Sequence, residues 1–176
     1  MMCAPSPNTA GASLTAARLE AMDLIGIERQ ASQLLLFGVP AEPDLDEAEA
    51  LTDNPAAWTL TDTSGRIVAC LGIHESFPGK MGIAWALLAP NVGAAHHALT
   101  RFTRAMIEDG ARRLARIEAL CAPGAATRWA KLVGLTPVHE VRQYGAASES
   151  YWLCERISET CAENQIDPEC LTRGAR

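Results

Sequence analysis

MGIAWALLAPNVGAAHHALT, residues 81–100, contains no Lys, Arg, Asp or Glu, and the way it divides decides the fold. Twenty uncharged residues are about the length of a membrane span. Pro90, Asn91 and Gly93 fall at its centre, however, and His96–His97 follow. An apolar strand over 81–89, a break at 90–93 and the start of a helix fit better, so no membrane span is expected. The strand is apolar on both faces, as a central strand is. The helix, over 95–110, sets Leu99, Phe102, Ala105 and Met106 on one face and Arg101, Arg104 and Glu108 elsewhere.

Upstream, Trp58–Thr61 and the run 67–74 flank Asp62-Thr63-Ser64-Gly65, a turn signal, and together predict a hairpin. Before them, Leu14, Ala17, Ala21 and Leu24 recur at helical spacing behind Ser13 as N-cap. A second helix is predicted over 27–37, stopped by Gly38 and Pro40. The stretch 41–55 reads as a loop with one helical turn at 46–51. Downstream, a strand over 114–121 is broken by Pro123-Gly124, and a short helix over 125–132 is closed by Gly134. Strands at 136–142 and 150–156 surround a turn at 144–147. The expectation is one α+β domain over 13–156, a three-layer arrangement with a central mixed, mostly antiparallel sheet between helices. Residues 1–12 read as an extended arm and 157–176 as a polar tail.

The chain of 176 residues carries a formal net charge of −6, unevenly placed. Glu42, Asp44, Asp46, Glu47, Glu49 and Asp53 lie together with no base among them, and the remainder is neutral. Residues 101–131 carry a net +4. This region has only Phe102 and Trp129 as stacking aromatics, so a helix face solvated by Arg is favoured and nucleic acid is not an expected partner. The acidic stretch reads as a solvated loop or as a surface for a basic peptide or amine. The six cysteines have neither CxxC nor zinc-knuckle spacing. Cys70, Cys121 and Cys154 sit among apolar residues as small hydrophobes, and Cys161 and Cys170 could cross-link in the tail. Residues 1–9 have no basic residue and no apolar run, so no secretory signal is read there, and a reducing cytoplasm is the default.

This element order resembles the GNAT superfamily of acyl-CoA-dependent N-acetyltransferases over about 14–156. In that family a strand ends in a splay, and the following helix start holds the CoA pyrophosphate on backbone N–H groups, where unpaired donors and a positive dipole end meet an anion. The family signature is Arg/Gln-x-x-Gly-x-Gly/Ala. Here the segment is Pro90-Asn91-Val92-Gly93-Ala94-Ala95: Gly93 and Ala95 match, and Pro90 replaces the first position. A second family segment places Asn, Ala, Tyr and Gly-Phe at fixed spacing. Ala126, Gly134 and Leu135 fit it, while Pro123 stands at the Asn position and Ala130 at the Tyr position. That Tyr commonly protonates the CoA thiolate, which Ala130 cannot do. The hairpin 58–74, Trp85, Arg128-Trp129, Arg142 and Tyr144-Gly145 before Tyr151 bring the pattern near small phage-encoded GNAT-like proteins, including podovirus internal virion proteins.

The resemblance implies acetyl-CoA as the possible cofactor, bound by the backbone of Val92, Gly93, Ala94 and Ala95, with the strand backbone near Leu87 and Leu88 polarising the thioester carbonyl. Glu75 is the candidate general base, acting through water; its bland alternative is a solvated carboxylate beside the Phe77-Pro78-Gly79 turn. His74 reads as a partly buried strand residue. His96 and His97 point about 100° apart, so at most one faces any site. No metal site is expected, since HxxxH spacing is absent, and no Gly-x-Ser-x-Gly nucleophile occurs. Two functions follow. The replaced positions Pro90, Pro123 and Ala130 lean the reading towards a virion-associated structural protein with a decayed acyl-CoA site, its arms 1–12 and 157–176 held by protein partners in host cytoplasm or virion. The alternative is a working acetyl-CoA-dependent N-acetyltransferase acting on an amine.

Overall fold

The computed structural model describes residues 13–30, 33, 45–52, 56–145 and 148–158. The expected arm 1–12, parts 41–44 and 53–55 of the acidic stretch, and positions 159–176 of the expected tail lie outside them. Seven strands form one sheet: β1 (Thr15–Arg18), β2 (Ala57–Thr61), β3 (Ile67–Phe77), β4 (Met81–Leu88), β5 (Arg116–Cys121), β6 (Thr136–Val141) and β7 (Tyr151–Ile157). Their spatial order is β1-β2-β3-β4-β5-β7-β6, and every neighbour is antiparallel except β4 and β5. The helices are α1 (Ala21–Gly26), α2 (Leu45–Thr52), α3 (His96–Arg113), entered through a 3-10 turn at Gly93–Ala95, and α4 (Ala125–Leu132). The mixed, mostly antiparallel α+β sandwich expected from the sequence is therefore the architecture observed.

The amino-terminal expectation is corrected. Leu14, Ala17, Ala21 and Leu24 do not share one helix. Thr15–Arg18 is an edge strand paired with Thr61–Trp58, and only Ala21–Gly26 is helical. All four residues of β1 are exposed, so the strand leaves no burial alternation in the sequence and is held by backbone pairing with a partner about forty residues away. Leu24 matches the expected core position and is buried. In the predicted second helix, residues 27–30 are not helical, Gln33 is, and 31–32 and 34–37 lie outside the described residues. The single turn expected at 46–51 is a full helix, Leu45–Thr52, whose Ala48 is completely buried.

The sheet is covered on both sides. On one face α1 and α2 close over β2–β4 through Leu24, Ile27, Ala48, Cys70 and Leu87. On the other, Leu99 and Ile107 of α3 meet Leu60, Leu71 and Ile73, and Ala130 of α4 with Val133 just after it meets Ala119 and Cys154. Ile73 is wedged between two glycines: a Cβ on either Gly82 of β4 or Gly110 of α3 would stand 2.6 Å from one of its methyl groups. Bare backbone on both elements lets the carboxy-terminal half of α3 press onto the sheet.

Two checks follow. At Gly72 an added Cβ would meet backbone, with Ala56 O at 2.9 Å and Ala57 Cα at 3.0 Å, so neither neighbour can rotate away. Gly72→Ala should cost ~1–3 kcal/mol in urea unfolding, the usual range for overpacking. The β2–β3 turn is gathered by Asp62, which accepts the Ser64 hydroxyl at 2.6 Å and the N–H groups of Ser64 and Arg66 at 2.9 and 3.1 Å. These bonds, the Ser64 hydroxyl foremost, hold the Asp62 carboxyl down to about 2. A carboxyl lowered on folding stabilises the fold above its ordinary value near 4, and that contribution disappears as pH falls towards 2. The protection factors of the Ser64 and Arg66 amides, corrected for the intrinsic pH dependence of exchange, should fall across that window before those of the central strands do.

Candidate active site

The geometry begins where β4 and β5 part. They pair in parallel over three positions, Met81 with Arg116, Gly82 with Ile117 and Ile83 with Glu118. Beyond these, Ala84–Leu88 pairs with β3 alone and Ala119–Cys121 with β7 alone. A wedge-shaped opening results, widening towards the carboxyl ends of both strands. Each arm then enters a helix, α3 from β4 and α4 from β5, and the Trp129 indole N–H donates to Thr100 Oγ1 at 3.0 Å to join the two helices.

At the head of the β4 arm, Asn91 and Gly93 take φ of 58° and 51°, the left-handed region open to Gly and tolerated by Asn. These turns reverse the chain from strand into helix. The first helical bonds are Ala95 N–H to Val92 O and His96 N–H to Gly93 O, so the amides of Val92, Gly93 and Ala94 precede the ladder and have no helical acceptor. No acidic residue lies in the first turn, Gly93 and Ala94 are exposed, and nothing stands within 4 Å of where a Gly93 Cβ would be. Helix starts with free backbone donors and no nearby acid are suited to anions in general. A groove of about 520 Å³ runs along the amino-terminal half of α3 on its β1–β2 side, lined by Leu14, Ala16 and Leu60 opposite Ala94, His97 and Arg101. His96 instead places Nδ1 3.4 Å from Thr100 Oγ1.

The strand edge is already bonded. Successive residues of a strand direct their N–H and C=O groups to alternate sides. Ala89 N–H reaches Val68 O beyond the end of β4, on the β3 side, so Ala86 and Leu88 turn theirs into the opening. There the Gln33 carboxamide takes both: its Nε2 donates to Ala86 O at 2.8 Å, and Leu88 N–H donates to its Oε1 at 2.8 Å. Gln30 N–H donates to Leu88 O at 3.1 Å. Leu88 therefore belongs to the opening, whereas Leu87 directs its backbone to β3 and its buried side chain to the α1–α2 side.

Glu75 lies elsewhere. It pairs with Gly82, five residues or roughly 17 Å along the strand from Leu87. Its carboxylate accepts from Arg113 Nη1 at 3.0 Å and from Gly79 N–H at 3.2 Å. The fold thus gathers Leu88 and Val92–Ala95 at one end and leaves Glu75 at the other. At the throat, where pairing ends, Arg116 Nη2 bridges Glu118 and Glu155 at 2.7 Å to each, a cross-strand cluster that linear spacing does not reveal. Ala130, on the core side of α4, is buried and offers no side-chain proton donor. Burial pushes the thiols of Cys70 and Cys121 up to about 12, so neither is a nucleophile. Among the described residues no cluster of three His, Cys, Asp or Glu could hold a metal, and no helix is long and apolar enough to cross a membrane.

No protein-family model matches the chain, and no curated protein matches it in sequence. Solved structures do resemble it. A GNAT-family acetyltransferase from Bacillus anthracis superposes with a TM-score of 0.62 at 14% identity, over 83% of this chain and 95% of that one. A variant of the spermidine N-acetyltransferase SpeG from Vibrio cholerae gives 0.60 at 17%, over 84% and 95%. An aminoglycoside acetyltransferase, AAC(6')-Ib, solved in complex with coenzyme A, gives 0.57 at 13%, over 86% and 99%. The fold is that of the GNAT acetyltransferases.

The placement of Glu75 is testable. Exposed ion pairs contribute under ~1 kcal/mol. Glu75→Gln should therefore lower the unfolding midpoint slightly and leave any acetyl transfer within about twofold of the parent, measured by thiol release.

Proposed function

We propose that the protein is an acetyl-CoA-dependent N-acetyltransferase acting on an amine. The observation carrying this reading is the parting of β4 and β5 into an opening that ends on the uncapped, acid-free turn at Val92–Ala94. The neighbours in fold named above are acetyltransferases, and one of them holds coenzyme A. They favour this reading over the virion-associated role, which finds no support among them.

Acetyl-CoA, when bound, supplies an acyl carbon activated as a thioester. The backbone amides of Val92, Gly93 and Ala94 would hold its diphosphate, with the imidazole of His97 and the guanidinium of Arg101 near the same turn. Leu88 N–H is the strand-edge donor next to that turn, and it would polarise the acyl carbonyl once released from Gln33. An amine held beside that thioester would form the new C–N bond as the C–S bond breaks. With Glu75 remote and Ala130 inert, the amine proton would leave to water and the sulfur would take its proton from water. Positioning supplies the catalysis in this scheme.

Calorimetric titration with acetyl-CoA, followed by thiol release across a panel of amines, tests the reading. Micromolar binding with turnover is expected. Gly93→Asp, which sets a carboxylate where the diphosphate would lie and keeps a residue type that tolerates the left-handed turn, should weaken binding at least about tenfold with little loss of stability. Absence of binding at millimolar acetyl-CoA would sink the enzyme.

A further inference from the structure

Gln33 is out of place for a surface helix residue. It is 9% exposed, and both ends of its carboxamide are bonded to one edge of a strand that has no strand partner there. The pair of 2.8 Å bonds, one given to Ala86 O and one taken from Leu88 N–H, is how a peptide group of an adjoining strand would read that edge. The contact is braced from its own side. Gln33 N–H donates to Gln30 O at 2.8 Å, and Gln30 reaches the same strand end twice, through its N–H to Leu88 O at 3.1 Å and its Nε2 to Ala89 O at 3.2 Å.

The hydrogen-bonding chemistry of that edge is specific. A primary amide offers one carbonyl acceptor and one N–H donor in a plane. An acyl-pantetheine arm offers the same functions, with amide N–H groups as donors and amide and thioester oxygens as acceptors. Both cannot occupy Leu88 N–H together. An apolar side chain in this position would leave buried backbone groups unpaired at a cost, so a bidentate amide satisfies the edge in the absence of any ligand.

We propose that Gln33 is an internal plug: its carboxamide occupies the acyl end of the opening by copying the hydrogen bonds of the ligand, and acyl-CoA binds only by displacing it. The diphosphate turn at Val92–Ala94 stays accessible throughout, so the plug acts on the acyl end of the site and leaves the anion end open. The proposal rests on the acetyltransferase reading, and the test separates the two.

The full-length protein and its Gln33→Ala variant are titrated with acetyl-CoA, and exchange of the Leu88 amide is followed by NMR without ligand. In the parent, Leu88 should exchange slowly although no strand adjoins it; in the variant it should exchange at least about tenfold faster, while Leu71 and Ile73 on β3 keep their protection as a control for folding. The variant should bind acetyl-CoA about tenfold more tightly, since two hydrogen bonds no longer compete. Gln33→Glu keeps an acceptor for Leu88 N–H but faces Ala86 O with a carboxylate oxygen, and it should shift affinity in the same direction by less; it carries the test if the alanine variant unfolds. Equal acetyl-CoA affinity in parent and variants, or a Leu88 amide as fast in the parent as in Gln33→Ala, overturns the plug and leaves the acetyltransferase reading standing. Absence of acetyl-CoA binding by parent and variants overturns that reading and the plug with it.

Discussion

The arrangement depends on how briefly β4 and β5 run together. Three paired positions, ending at Ile83 and Glu118, are enough to register the two strands and too few to zip them. Packing enforces the limit at the closed end. Ile73 fills the space left by Gly82 and Gly110, and Leu114 enters the same space beside Gly82, so helix and sheet are pressed together exactly where the strands are still joined. Each strand satisfies its other edge elsewhere, β4 on β3 and β5 on β7, so separation costs the sheet few hydrogen bonds. Backbone groups are thereby turned towards an interior space, which in most sheets happens only at an outer edge.

Once the strands separate, the connecting turns have their positions fixed. The left-handed Asn91 and Gly93 turn the chain from strand into helix, and the amides of Val92, Gly93 and Ala94 precede the helical ladder. Charge is arranged consistently with this. Four of the seven bases in the 101–131 segment are paired, Arg104 with Glu108, Arg112 with Asp109, Arg113 with Glu75 and Arg116 with Glu118 and Glu155, while Arg101, Arg128 and Lys131 make no ion pair among the described residues, and Arg101 lines the groove between α3 and β1.

Much of this was legible in the sequence, for identifiable reasons. Apolar runs over residues 67–74 and 81–89, together with breaks at Pro90–Gly93 and Pro123-Gly124, mark strands and helix entries; β3 is buried over residues 68–73, whereas β4 is apolar with only Gly82 and Leu87 buried, because part of it borders the opening. Leu88 and Val92–Ala95 could be placed together because they adjoin in the chain. Thr15–Arg18 was not legible as a strand: an exposed edge has no burial to pattern its residues, and Leu14, Ala17, Ala21 and Leu24 happen to repeat at helical spacing. Gln33 was equally hidden. Its partners lie 53 and 55 residues away, and nothing about a glutamine in an amphipathic run distinguishes one that faces solvent from one that completes a strand.

The hydrogen bond between Trp129 and Thr100 has a mechanical consequence. With Ile83 and Glu118 joined below and the indole bridging α3 to α4 on one face, the two arms form a frame tied at two heights. Swinging one arm away from the other would first require the indole to let go, so the face of the opening that carries this bridge and the face that lacks it are not mechanically equivalent.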